Sequence, residues 1–174
     1  MIKEKIGKIW IKIFKNHERE VLIQQFNYFF RLFIEMLEEG NISSLSDPYN
    51  RNHNVYYDIN ICSLDFFDFL LLENDNYEKL IIGYAHVYEI FINNLPRLIN
   101  SLVDKISLIH AKREYTNTMD EDLIVEFDDV VNTSVRQSAA ILLEVLAYYF
   151  PESVFENSKH SISKGLNSSD PIEK

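Results

Sequence analysis

The sequence predicts an all-α protein: a single-domain bundle of about five to seven helices, with a long irregular loop at residues 41–62. Apolar residues make up 47% of the 174 residues, enough for one full core, while glycine and proline number only 4 each. Apolar side chains also recur at helical spacing along most of the chain. We expect one helical domain at residues 1–156. A flexible tail is expected at residues 157–174, where serine and lysine are frequent and apolar periodicity is missing.

The first predicted helix, residues 1–16, is basic and amphipathic. Its isoleucines, Trp10 and Phe14 fill one arc of the helix, and its lysines fill the opposite arc. Three interpretations are open. The helix lies on an anionic membrane with Trp10 and Phe14 inserted, it docks on an acidic surface of its own body or of another copy, or its apolar face joins the core. We favour the last, because every core-facing helix is amphipathic.

Residues 18–39 predict a central helix, since apolar side chains cover most of its circumference and only one polar strip is left. Serine, asparagine and aspartate then indicate the loop at residues 41–62. Within this loop, the alternation at residues 55–61 allows a short strand, with residues 123–127 as its partner. A capping-box pattern at residues 118–121 argues for a helix at the second of these segments instead.

Two further helices are expected in the middle of the chain. Ser63 is placed as the N-cap of a short helix that ends at Leu72. A longer helical pattern covers residues 77–114 and contains Pro96. Because proline removes a backbone donor and crowds the preceding turn, we expect a kink or break near residues 93–95.

The last predicted helix covers residues 119–150, either continuous or divided at residues 132–134, and ends at Pro151. Glu144 is the one charged residue of its segment 138–150. A helix that is apolar almost all round is either deeply buried or shared with a second subunit, so a homo-oligomer formed through this segment stays open.

Glu144 has two interpretations. If its carboxylate is buried it needs a cationic partner, because an unpaired buried charge is costly. If it is not buried, it marks the one solvent-facing stripe of the helix. The candidate partners are Arg31, Arg97 and Arg136.

The overall composition limits the kinds of site and the cellular compartment that we expect for this protein. Cys62 is the only cysteine, so an intrachain disulfide and a cysteine-rich zinc site are both excluded. No run of apolar residues approaches the roughly 20 that a membrane-spanning helix needs. We expect a cytoplasmic protein.

Charge is divided unevenly along the chain. Residues 1–19 carry six Lys and Arg against two Glu, whereas residues 20–174 carry 11 against 25 acidic side chains, within a net charge of −10. A body of this sign repels phosphate backbones, which disfavours direct nucleic-acid binding. A cationic protein partner fits this charge better.

The strongest local feature is an acidic cluster that places six carboxylates within residues 120–129. We predict it as a partner-binding patch. The alternatives are a solvated helix face and a metal site, which would need ligands from several elements. The cluster comprises Asp120, Glu121, Asp122, Glu126, Asp128 and Asp129.

Histidine adds three candidate pairs, in which a glutamate follows three or four residues after the histidine. Such pairs can chelate a metal or transfer a proton, but a solvent-exposed or satisfied boundary histidine is the more common case. No catalytic, cofactor-binding or metal-ligating residue is therefore predicted. The pairs are His17 with Glu20, His86 with Glu89, and His110 with Glu114.

These observations favour a non-enzymatic, acidic helical binding protein that inhibits or regulates a cationic protein, as bacterial immunity proteins and antitoxins do. One alternative is a metal-dependent helical hydrolase that uses clustered carboxylates such as Asp122, Glu126 and Asp129. Another is a peripheral membrane or assembly subunit that uses the basic helix at residues 1–16.

Overall fold

The computed structural model describes residues 2–16, 19–42, 53–73, 75–107 and 121–167. In this part of the chain the secondary structure is helical, without a strand, so the predicted all-α class is confirmed. The helices are α1 (Ile2–Asn16), α2 (Arg19–Gln24), α3 (Phe26–Ile42), α4 (His53–Leu71), a π-helix (Tyr77–Ile82), α5 (Ala85–Ser107), α6 (Glu121–Tyr149) and α7 (Pro151–Asn167).

The centre of the bundle is formed by α4 and α5, which each pack against three other α-helices, and not, as the wide apolar arc of residues 18–39 predicts, by α3. Helix α3 packs against α4 and α5, while α4 also contacts α1 and α6, and α7 lies against α5 and α6. Phenylalanine rings hold these helices together. Phe33 of α3 stacks on Phe66 of α4 with ring centroids 3.9 Å apart, and Phe30 lies 5.4 Å from Phe91 of α5. The core is therefore mainly aromatic where α3 meets its neighbours.

Helix α1 approaches α4 closely at Gly7. A Cβ atom on Gly7 would lie 2.7 Å from the Cys62 sulfur and 3.2 Å from Cε1 of Phe33. Both of these side chains are fully buried, so neither has open space to move into. Glycine is required here because any side chain would push α1 away from the core.

We expect Gly7→Ala to lower the free energy of unfolding by about 1–2 kcal/mol, although alanine favours helix more than glycine does. Overpacking against the Cys62 sulfur is the cause. In a Cys62→Ala background the same substitution should be less destabilising, because the nearest atom is gone. Urea unfolding of the four proteins in this double-mutant cycle measures the coupling. Equal losses in both backgrounds would contradict the contact.

Helix α4 begins earlier than the sequence predicts. Residues 53–62, which belong to the predicted loop, are helical. The two segments considered as paired strands, residues 55–61 and 123–127, lie in α4 and α6, so the strands do not form. Ser63 lies inside α4 rather than at its N-cap, and its hydroxyl donates a hydrogen bond to the Ile59 carbonyl. The reason is burial: Ile59 and Cys62 lie on the core side of α4, and their packing overrides a polar local sequence.

Pro96 does not break α5. The helix continues through it, and the chain divides instead at residues 83–84, between the π-helix and α5. Phe91, Leu95, Leu98 and Leu102 form one buried stripe on both sides of the proline. Burial of this stripe outweighs the hydrogen bond that proline cannot donate. The predicted break at residues 93–95 is wrong.

Helix α6 is continuous across residues 132–134, and Pro151 begins α7 after ending α6. Proline fits the first turn of a helix, where its missing N–H would have no partner anyway. Helix α7 extends to Asn167, with Val154 and Ser158 buried. The expected tail is therefore helical as far as residue 167, because α7 packs its buried face against α5 and α6.

Candidate functional site: a tyrosine-rich surface

Three tyrosines from two segments meet at one end of α6 and a fourth, Tyr88, lies near them; we refer to the four as the tyrosine cluster. Tyr77 is the first residue of the π-helix, Tyr88 lies in the first turn of α5, and Tyr148 and Tyr149 end α6. Tyr77 is buried, and its ring centroid lies 4.2 Å from that of Tyr149. Tyr149 in turn lies 5.1 Å from Tyr148, at nearly a right angle.

Phe91 and Phe150 support the cluster from the core. Their ring centroids lie 6.3 Å and 6.2 Å from that of Tyr77. Burial raises the pKa of the Tyr77 phenol to about 12, and the neighbouring phenols of Tyr88 and Tyr149 contribute to the same shift. Tyr77 therefore stays protonated at neutral pH and forms an aromatic floor for the exposed members of the cluster.

The outer tyrosines are open to solvent. Tyr148 is 82% exposed, and Tyr88 and Tyr149 are each about two-fifths exposed. One turn before Tyr148, Glu144 is exposed on the same face of α6, together with Ile141. An apolar and aromatic strip with one carboxylate therefore faces outwards along the end of α6.

Glu144 thus marks the solvent-facing stripe, which is one of the two interpretations of the sequence. It has no ion-pair partner among the described residues. The arginines considered for it have other roles: Arg97 donates two 2.6 Å hydrogen bonds to Glu38, and Arg136 donates one to the Ile106 carbonyl.

The chemistry of this surface suits a cationic side chain. Tyrosine rings attract guanidinium and ammonium groups through their negative faces, and their hydroxyls accept or donate hydrogen bonds. The Glu144 carboxylate adds a charge within reach of a side chain that lies on Tyr148. The arrangement can hold an arginine or lysine of a partner.

The acidic cluster predicted from the sequence is a different surface. Asp120 lies outside the described residues, and the other five members lie in the first turns of α6, with side chains outside the described part. Along the axis of α6, Asp129 and Tyr148 are separated by roughly 28 Å. These five residues and the tyrosine cluster therefore lie at opposite ends of α6.

A second group of carboxylates lies where α1 meets α4. Lys15 of α1 forms a 2.5 Å ion pair with Glu73. Burial raises the pKa of Asp68 to about 6, and the charges of Asp65 and Glu73 act in the same direction. Phe14 and Ile11 of α1 are buried in the core. Helix α1 therefore both joins the core and pairs with acidic residues of its own body.

Lys105 is the least expected polar residue of the bundle. It lies on the buried stripe of α5, it is only 2% exposed, and its ammonium nitrogen has no hydrogen-bond partner among the described residues. Burial lowers the pKa of Lys105 to about 7, against the weaker opposing effect of Asp104. This places an amine that is only partly charged at neutral pH on the buried side of α5.

The described residues bring together no group of three or more histidine, cysteine or acidic side chains that could hold a metal ion. His86 is exposed, and its Nε2 lies 3.2 Å from the Ile23 carbonyl. His17 and His110 lie outside the described residues. In the same part of the chain, no helix is both long enough and apolar enough to cross a bilayer.

Comparison with protein-family models, with curated protein sequences and with solved structures finds no match to this chain.

Sequence reasoning missed the tyrosine cluster. Its only local signal in the sequence is the pair Tyr148 and Tyr149 at the end of an apolar run. This pattern is equally typical of buried core residues. Tyr77 and Tyr88 are distant in sequence, and only the packing of the π-helix and α5 against the end of α6 brings them there.

Proposed function

We propose that this protein is a non-enzymatic, acidic helical module that binds and regulates a cationic protein, in the manner of an immunity protein or antitoxin. The tyrosine cluster, with Glu144, forms the centre of the contact. The observation that carries the proposal is the exposure of Tyr148, 82%, beside Tyr149 and the exposed carboxylate of Glu144.

The energetics of interfaces support this assignment. Tyrosine is enriched among the residues that dominate binding energy, since it supplies a large rigid surface at low entropic cost. An exposed ring on an aromatic floor is held in place before binding, because Tyr149 is packed between Tyr148 and Tyr77. The partner would insert arginine or lysine side chains over these rings.

The charge of the protein supports the same kind of partner. A net charge of −10 attracts a basic protein and accelerates its association at low salt. We place the acidic cluster at residues 120–129 in this steering role, at the opposite end of α6 from the tyrosines. In this division, the tyrosine cluster sets the dissociation rate and the acidic cluster sets the association rate.

The test begins with capture of proteins from the native cell on the immobilised chain, followed by calorimetry with each purified candidate. We expect a basic protein whose affinity falls about thirtyfold with Tyr148→Ala plus Tyr149→Ala, a loss of about 2 kcal/mol. Glu144→Gln should mainly raise the dissociation rate, because it removes the carboxylate that faces the inserted cation at the centre of the contact. Tyr28→Ala is the matched control, because Tyr28 is an exposed tyrosine of α3 that belongs to a different surface.

Two results would overturn the proposal. One is a bound protein that is neutral or acidic. The other is a basic partner that binds the Tyr148→Ala plus Tyr149→Ala variant as tightly as it binds the wild type, while both proteins show the same thermal melting.

A further inference from the structure

The apolar arc of helix α1 is wider than the face that is buried in the core. Gly7, Ile11 and Phe14 are buried, whereas Ile6 is 44% and Ile9 59% exposed. At 100° per residue the exposed isoleucines lie roughly a quarter to a half turn from the buried residues. The apolar arc seen in the sequence is therefore wider than the core requires, and part of it faces outwards.

The lysines of α1 are divided in the same way. Lys15 pairs with Glu73, and the charge of Lys8 acts on the Asp65 carboxyl, so both lie towards α4. Lys5 and Lys12 are exposed and have no ion-pair partner among the described residues. They lie four residues before and three residues after Ile9, which places both beside the exposed isoleucines.

Two aromatic side chains border this surface. Trp10 of α1 is half-buried, with its ring centroid 4.7 Å from that of Phe29. Tyr28 of α3 is exposed and lies 5.3 Å from the same ring. Tryptophan and tyrosine favour the membrane–water interface, where one part of the ring is apolar and the other part is hydrated.

We propose that this surface, the isoleucine face of α1 formed by Lys5, Ile6, Ile9, Trp10, Lys12 and Tyr28, docks on a membrane surface that carries anionic phospholipids. The isoleucines enter the boundary between headgroups and acyl chains, and the two lysines contact the phosphates. Phe14, which the sequence offered as an inserted residue, is fully buried in the core and takes no part.

The dimensions of the face favour a membrane over a second copy of the chain. Two isoleucines and one tyrosine, each about half exposed, offer roughly 300 Å², far below the ~800 Å² per partner of a stable protein interface. A narrow apolar strip flanked by lysines suffices for reversible membrane contact. The acidic body opposes this contact weakly, because salt screens charges beyond about 8 Å at physiological ionic strength.

The wild-type protein offers a direct readout, because Trp10 is the only tryptophan. Adding vesicles of equimolar phosphatidylglycerol and phosphatidylcholine should shift its fluorescence to shorter wavelength, and vesicles of phosphatidylcholine alone should not. Lipids brominated on the acyl chains should quench the emission. An unchanged spectrum with the anionic vesicles would overturn the proposal without any variant.

Vesicle co-sedimentation then assigns the face. Ile6→Ser plus Ile9→Ser, and separately Lys5→Gln plus Lys12→Gln, should each weaken binding to the anionic vesicles about tenfold. Ile162→Ser is the matched control, since Ile162 of α7 is 51% exposed, and Lys159→Gln is the control for charge. Both control variants should bind as the wild type does.

Three outcomes contradict the proposal. Equal losses in the control variants show that the face is not specific. A loss with the lysine variant but not with the isoleucine variant shows only general attraction of charges. Light scattering that detects oligomers dissociated by the isoleucine substitutions shows that a second copy is the occupant. The test does not depend on the tyrosine cluster, so it stands or falls separately from the proposed function.

Discussion

Replacement of Lys105 by methionine is expected to stabilise the protein at pH 6 by about 2–5 kcal/mol. Lys105 lies on the buried stripe of α5 with Leu98 and Leu102, and in the part of the chain that the structure describes its ammonium nitrogen has no hydrogen-bond partner. Burial lowers its pKa from 10.5 to about 7. Methionine keeps the length of the side chain and removes the charge that the fold must otherwise bury.

The pH dependence of stability identifies the cause. Between pH 7 and 10.5 the unfolded chain binds a proton at Lys105 that the folded chain has lost, so the stability of the wild type should rise with pH across this window. Below pH 7 both states are protonated, and this contribution is constant. The advantage of Lys105→Met should accordingly fall by about half between pH 6 and pH 9.

Urea unfolding of the wild type and Lys105→Met at the two pH values measures this difference. Lys159→Met on the surface of α7 serves as the control and should change stability by no more than about 0.5 kcal/mol. If Lys105→Met is destabilising at pH 6, or if its effect is the same at both pH values, the prediction is wrong and the buried amine has a compensating partner.

Apolar periodicity predicts the amphipathic helices, which bury one apolar face and expose one polar face. Helix α1 follows its pattern closely, because the spacing of its apolar side chains matches the helical repeat over several turns, whereas the single helix predicted at residues 18–39 is divided into α2 and α3. The start of α4 could not be predicted, since residues 53–62 are rich in tyrosine, asparagine and aspartate. Their helix depends on contacts that Ile59 and Cys62 make with distant parts of the chain.

Pro96 shows a second limit of local reasoning, whereas Pro151 follows the end of α6 as predicted. Both are helix breakers by their chemistry, yet α5 continues through the first and α7 begins at the second. The outcome at each depends on what the flanking residues bury. At Pro96 the buried stripe continues on both sides, and at Pro151 the chain starts a new helix that packs on α5 and α6.

The candidate surfaces were partly visible in the sequence. The basic amphipathic character of α1 is evident there, but the division of its arc into a buried and an exposed half depends on where α4 lies. The solvent-facing stripe at Glu144 was one of two interpretations, and burial decides between them. The meeting of Tyr77 and Tyr88 with the end of α6 is a tertiary contact between distant residues, which no local pattern encodes.

Truncation of Phe66 to alanine is expected to lower the free energy of unfolding by about 3–5 kcal/mol. The ring is fully buried, stacks on Phe33 at 3.9 Å, and lies within 6.5 Å of the ring centroids of Phe14 and Phe67. It joins α1, α3 and α4, so its removal leaves a cavity where three helices meet. Thermal and urea unfolding measure the loss.

Phe155→Ala provides the comparison, because Phe155 of α7 is largely exposed and its truncation should change stability by no more than about 0.5 kcal/mol. The double variant Phe33→Ala plus Phe66→Ala should lose less than the sum of the single variants, since each removes the partner of the other. Strict additivity would contradict the stacked contact. Because Phe66 also supports Phe14, its loss should loosen α1 on the bundle and expose more of its apolar arc, raising vesicle binding while stability falls.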